Sequence, residues 1–226
     1  MKIKVIGIGG GAEWLLPLLR MYLEYGPAKT ESVEITLVDG KQYAEKKRDR
    51  QSFHRLGNKA EVKAEYFREL CPKITWKSLD MYVTEKNISR IVRENDFVFC
   101  CVDNHKSRKV ISDRTEELEN AVLFSGGNEM TDGNIQVFIR KDGENVTLPL
   151  ASKYHEEILY PRDKSPDEMS CEELGESEPQ LCLANNMIAT LMANAFYGYL
   201  EGKNSYDEAY MDIIMNAVRP INRSRT

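Results

Sequence analysis

Gly7, Gly9, Gly10 and Gly11 follow the apolar run Ile3-Lys4-Val5-Ile6, and Asp39 closes a second one, Ile35-Thr36-Leu37-Val38. Glycines in such a cluster let the backbone turn sharply and bring amide N–H groups close to an anion, and a helix that starts there aims its N-terminus at the same point. An acid at the end of the next strand is placed to hold the two hydroxyls of a ribose. The combination marks a nucleotide lying across a doubly wound sheet, and dehydrogenases, methyltransferases and adenylating enzymes all share it. Residues beyond Asp39 must therefore discriminate. They are Arg50-Gln51, then Gly57-Asn58-Lys59-Ala60, then Asp103-Asn104 with Arg108 after it.

The elements that position these residues follow from periodicity. Strand-like runs at 2–8, 33–39, 73–78 and 96–102 alternate with helical patterns near 12–25, 58–71, 85–94 and 105–119, and 122–125 continues as a fifth strand. This rhythm predicts an α/β fold with a Rossmann-like, doubly wound, mostly parallel sheet. Segments 135–139 and 145–148 flank Asp142-Gly143 as an antiparallel hairpin, so antiparallel strands should extend the sheet toward the C-terminus. A long surface loop is expected over 150–180, a small-residue helix over 185–200, and an edge strand over 209–215. One domain is read over 1–226, with a nucleotide-binding core at 1–127 and the antiparallel extension, crossover loop and late helix at 128–226.

Composition narrows the function. The chain has 226 residues and a net charge of −5, which gives no general attraction to nucleic acid. No apolar run approaches the ~20 residues needed to cross a bilayer, and the first segment reads as a strand rather than a signal peptide, so no membrane association and a cytoplasmic location are expected. Five cysteines, two of them adjacent, do not form a disulfide framework. With no C-x-x-C pair and three scattered histidines, no structural zinc is expected.

The ordered set of glycine loop, strand-end Asp39, Arg50-Gln51, Gly57-Asn58-Lys59-Ala60 and Asp103-Asn104 resembles the ThiF/MoeB/HesA family, bacterial relatives of ubiquitin-activating enzymes, most clearly over residues 5–127. The resemblance implies ATP-dependent adenylation of the C-terminal carboxylate of a small ubiquitin-like or sulfur-carrier protein with a Gly-Gly tail. It also implies a homodimer, with ATP and Mg²⁺ as cofactors. Attack of a carboxylate on the α-phosphate concentrates negative charge, so such a site needs cations and positioning. Arg50 and Lys59 are the expected catalytic cations, Gln51 lines the phosphates, Asp39 contacts the ribose, and Asp103, with Asn104 beside it, is the expected metal site. Other readings stand beside these. The Lys46 to Arg50 run also reads as a solvated basic turn, Asp103-Asn104 as a cap for the helix near His105, and Arg108 as either an orienter of Asp103 or a helix-face residue. Ser125-Gly126-Gly127 is read as backbone approached by a ligand or a partner's tail, or as an ordinary loop.

Family members that go beyond adenylation use a cysteine near the late helix. Cys182 stands there, and Cys171, among acidic neighbours, lies in the crossover loop. The chain departs from the family in three ways. The family's arginine-bearing N-terminal extension is expected to be absent, the C-x-x-C pairs are missing, and Lys41 and Lys47 replace the second acid of Asp-x-Asp and an Asn before Arg-Gln. A non-catalytic nucleotide-binding scaffold or sensor is the alternative reading. An NAD-dependent dehydrogenase leaves the later motifs without a task.

Overall fold

The computed structural model describes residues 1–26, 32–45, 48, 51–169, 180–204 and 206–223. Strands β1 (Lys2–Ile6), β2 (Glu34–Val38) and β4 (Asp96–Cys100) are almost wholly buried. Such near-continuous apolar runs belong in a parallel sheet covered on both faces. With β3 (Thr75–Leu79), β5 (Ala121–Asn128), β6 (Asp132–Lys141), β7 (Glu144–Asn145), β8 (Glu208–Asp212) and β9 (Ala217–Ile221) they form one nine-stranded sheet of order β3-β2-β1-β4-β5-β6-β8-β9, with β7 paired to β6. Pairing is parallel from β3 to β5 and antiparallel from β5 onward. This is the doubly wound, mostly parallel sheet with an antiparallel extension that the sequence predicts.

Helices α1 (Gly10–Tyr25) and α2 (Lys59–Leu70) pack on one face, and α1 also packs against the late helix, here α6 (Cys182–Leu200). The other face carries α3 (Ile88–Ile91), α4 (His105–Glu116) and α5 (Glu156–Leu159), giving two apolar cores either side of the sheet. Phe196 pins α6 to the sheet. Its ring meets Phe97, Phe99 and Phe124 edge-on at 5.4 to 5.9 Å, while Phe99 and Phe124 stack at 5.0 Å. Such offset and edge contacts add to the area these rings bury.

Several boundaries differ from expectation. The first strand ends at Ile6 because Gly7 turns with φ +88°. The pattern over 85–94 yields only the single turn α3 before Asn95 adopts φ 61°. The segment at 209–215 is not an edge: β8 lies between β6 and β9, and β9 takes the edge. The turn at Asp142-Gly143 holds, both residues having positive φ, although β7 is only two residues long. Within 150–169 the chain forms α5 and a 3-10 turn at Pro166–Glu168 rather than an irregular loop. Among the described residues no helix is long and apolar enough to cross a membrane.

Candidate active site

Strands β1, β2 and β4 run parallel, so their C-terminal ends share one edge of the sheet, beside the point where strand order reverses. A cleft of about 1750 Å³ opens there. It is lined by Gly7, Gly9, Gly10, Gly11, Asp39, Gln51, Lys59, Asp103 and Asn104. These segments lie far apart in the chain, and the topology brings them together. Arg50, Lys46, Lys47 and Cys171 lie outside the described residues. Cys182 does not line the cleft; it opens α6, half-buried, one turn before Asn185, which does.

A side chain at Gly7 would meet the Cys101 carbonyl at 2.7 Å in a conformation that only glycine adopts freely, which makes this the tight turn of the loop. Gly9 and Gly11 face open space. A ligand can therefore approach the first turn of α1, whose leading N–H groups have no helical partner. The corresponding end of α4 is already taken. Asn104 Oδ1 accepts from the Ser107 amide at 2.8 Å, and Asp163 accepts from the His105 and Lys106 amides at 2.5 and 3.2 Å. Capping is thus a structural duty of Asn104.

Asp39 ties the loops together. Its carboxylate accepts from the Ile8 and Lys41 amides, each at 2.6 Å. Burial raises its pKa, against the pull of the Lys59 ammonium and of these two bonds. Asn58, which sequence reasoning passed over as a site residue, locks the same corner. Its Nδ2 donates to the Asp39 carbonyl and to Asp80 Oδ1, both at 2.7 Å, while its Oδ1 caps α2.

Gln51 is held by its neighbours. Lys63 Nζ bridges the Ser52 carbonyl at 2.7 Å and Glu13 at 2.8 Å, and Phe53 stacks on Tyr43 at 4.4 Å. Gln51 is 6 % exposed, with a buried Oε1 that lacks a hydrogen-bond partner. Asn185 is 1 % exposed, and its Nδ2 likewise has no partner. Its amide lies over Gly10, where a Cβ would come within 2.5 Å of Nδ2. Buried polar groups without partners are uncommon and call for an explanation, and a ligand in the cleft supplies one. Asn185 was missed as a site residue because its pattern is simply that of a helix start.

Opposite charges meet across the cleft mouth. Lys41 Nζ lies 2.8 Å from Asp103 Oδ2. Desolvation pushes the Asp103 carboxyl up, but the Lys41 ammonium outweighs it and holds the group below its usual range. Arg108 does not orient Asp103. It is buried and donates to Ser125 Oγ and to the Val102 and Gly126 carbonyls, joining the ends of β4 and β5. The glycines after Ser125 line the cleft and also make room for packing behind it: a Cβ at Gly126 would strike Met192 and Ile188, and one at Gly127 would strike Arg108. Cys101 also lines the cleft, but burial holds its thiol far up, as it raises that of Cys100, so neither is a ready nucleophile.

The fold and motifs have close parallels. The adenylyltransferase and sulfurtransferase uba4 of Emericella nidulans is 31% identical over 140 residues, which is 60% of this chain and 27% of that protein. The Aspergillus fumigatus uba4 is 33% identical over 105 residues, 45% of this chain and 21% of its own. The chain thus spans about a quarter of the length of these relatives. Among solved structures, the microcin C7 biosynthetic enzyme MccB with N-formylated MccA aligns with TM-score 0.75 at 16% identity, over all of this chain and 66% of that one. E. coli MccB with ATP aligns with TM-score 0.71 at 15% identity, over all of this chain and 64% of that one, and at such identities the likeness is one of fold. Residues 1–222 match the ThiF family, and with its glycine loop, strand-end acid and buried amides gathered on one cleft, this chain belongs to that family.

Proposed function

We propose that the chain is an ATP-dependent adenylyltransferase acting on the C-terminal carboxylate of a small ubiquitin-like or sulfur-carrier protein with a Gly-Gly tail. The observation that carries this reading is the convergence, at one sheet edge, of the open N-terminus of α1, the buried Lys59, and the unpartnered amides of Gln51 and Asn185. Membership of the ThiF family and the likeness to the adenylyltransferase and sulfurtransferase uba4 support it. In the proposed step a carboxylate oxygen attacks the α-phosphorus. The Pα–O–Pβ bond breaks, its electron pair leaves with pyrophosphate, and an acyl-adenylate remains. The amides of Gly9 to Gly11, with Lys59 and Arg50, hold the phosphates, and Asp39 sets the glycine loop and meets the ribose.

A later transfer to Cys182 or Cys171 would exchange the acyl–oxygen bond for a thioester and release AMP. Homodimer formation and a cytoplasmic setting complete the reading. The Mg²⁺ implied by the resemblance finds a poor fit. The carboxylate expected to hold it, Asp103, is already paired with the Lys41 ammonium. No step is routed through a metal.

ATP–pyrophosphate exchange with small β-grasp proteins ending in Gly-Gly tests the reading. Exchange is expected only when the tail is intact. ATP binding without exchange for any tail would favour the scaffold or sensor, and NAD binding in place of ATP would return the chain to the dehydrogenases.

A further inference from the structure

Resting on the nucleotide reading above, we infer that Lys41, and not a divalent metal, supplies the cation at the Asp103 side of the cleft, so that ATP binds here largely independently of magnesium. The carrying observation is the ion pair between the ends of β2 and β4. Lys41 and Asp103, 62 residues apart, meet at 2.8 Å, and both line the cleft.

A carboxylate engaged by an ammonium at this distance is a poor ligand for a hard dication, because the metal must first displace a charge already in contact. Two cations that compete for one carboxylate weaken each other reciprocally. The geometry keeps Lys41 in place. Its own amide donates to Asp39 at 2.6 Å, and its carbonyl accepts from the Lys59 amide at 3.0 Å, so its backbone is fixed between the ribose-side acid and the second cleft lysine.

The pair is also within reach of a ligand. The Lys41 and Asp103 side chains keep 25% and 56% of their exposure, so the pair lies at the cleft surface where a bound phosphate can meet it. An arriving triphosphate therefore offers Lys41 a more highly charged partner within reach of its flexible stem. Bridging Asp103 and the phosphates with its three N–H donors, Lys41 joins Lys59 on the same anion. Asp103 stays paired with the ammonium throughout, so no free carboxylate is left beside the phosphates for a metal, and the pair holds Lys41 in place when product leaves. Lys41 is in this view a nucleotide-binding residue, and Asp103 positions it.

Calorimetric titration of the full chain with ATP, in EDTA and in Mg²⁺, tests this, using wild type, Lys41→Ala and Lys41→Arg, with thermal melts to verify folding. Wild-type affinity is expected to agree within about three-fold between the two media. Lys41→Ala should lose about ten-fold or more in EDTA and recover on adding Mg²⁺, because Asp103 is then free to hold the ion, while Lys41→Arg should behave as wild type. Wild-type binding that strengthens about ten-fold or more with Mg²⁺ would overturn this inference alone, as would a Lys41→Ala affinity unchanged in EDTA. Failure of wild type to bind ATP in either medium would overturn the nucleotide reading and this inference with it.

Discussion

Asn185 and Asp39 divide two tasks that cleft residues often combine, ligand contact and structural support. Asn185 buries an amide nitrogen that bonds to nothing in the protein, so it contributes little to folding and stands ready for a ligand acceptor. Asn185→Ala should cost less than about 1 kcal/mol of stability in urea titrations, yet weaken ATP binding about five- to ten-fold by calorimetry. A large stability loss with unchanged affinity would show that the amide is structural. Asp39 bonds two backbone amides from different loops. Asp39→Ala leaves both without an acceptor and is expected to lower stability by about 1–3 kcal/mol in the same titration, as well as weakening nucleotide binding.

At the scale of elements, the contact between α6 and β5 controls the shape of the cleft. Met192 Sδ and Ile188 Cγ2 approach the place where a Gly126 side chain would stand to 2.5 and 2.6 Å. Gly126→Ala must push the helix away or force off-rotamer side chains, a typical overpacking cost of about 1–3 kcal/mol. Denaturant unfolding should report that loss, and ATP affinity should fall with it because Asn185 rides on the same helix. Local pattern located the glycine pair, which lines the cleft, but not what packs on Gly126, since that comes from a helix more than fifty residues later in the chain. β9 escaped notice for a related reason. Arg219-Pro220 breaks the apolar alternation, and proline is tolerated only because the strand lies at the sheet edge.

Across the whole molecule, the antiparallel extension is fastened to the segment after β7 by a buried network. His155 Nε2 meets Glu208 and Nδ1 meets Glu157, each at 2.9 Å, and Arg223 Nη2 reaches the other Glu208 oxygen at 2.8 Å. Burial lowers the His155 pKa, but the hydrogen bonds to Glu208 and Glu157 win and raise it above its ordinary 6.5. A histidine pKa raised by folding contributes stability that is fully present below 6.5 and is lost as pH rises through the folded value. Burial raises the Glu208 pKa, but His155 and Arg223 bring it below 4.5, so its contribution is present above 4.5 and is lost as pH falls through its folded value. Thermal melts should therefore show stability falling on the alkaline side of 6.5, and His155→Gln should flatten that slope while lowering the stability measured near neutrality. A wild-type profile flat across that range would contradict the network's charge assignment.

Much of the site's location was decided locally. Glycine spacing, the acid after Val38 and the alternation of strand with helix place the glycine loop, Asp39 and Asp103 at the C-terminal ends of parallel strands. Right-handed crossovers then leave little choice but to bring those ends to one edge. Family membership was legible for the same reason, because those residues occur in fixed order along the chain. The pairing of Lys41 with Asp103, the amide of Asn185 over Gly10, and the capping of α4 by Asp163 were decided only by the tertiary structure. Each joins residues that sequence separates widely, and their meeting depends on strand order and helix packing rather than on propensity. Periodicity states which face of an element is apolar, whereas the identity of a polar partner across a cleft is a property of the assembled fold.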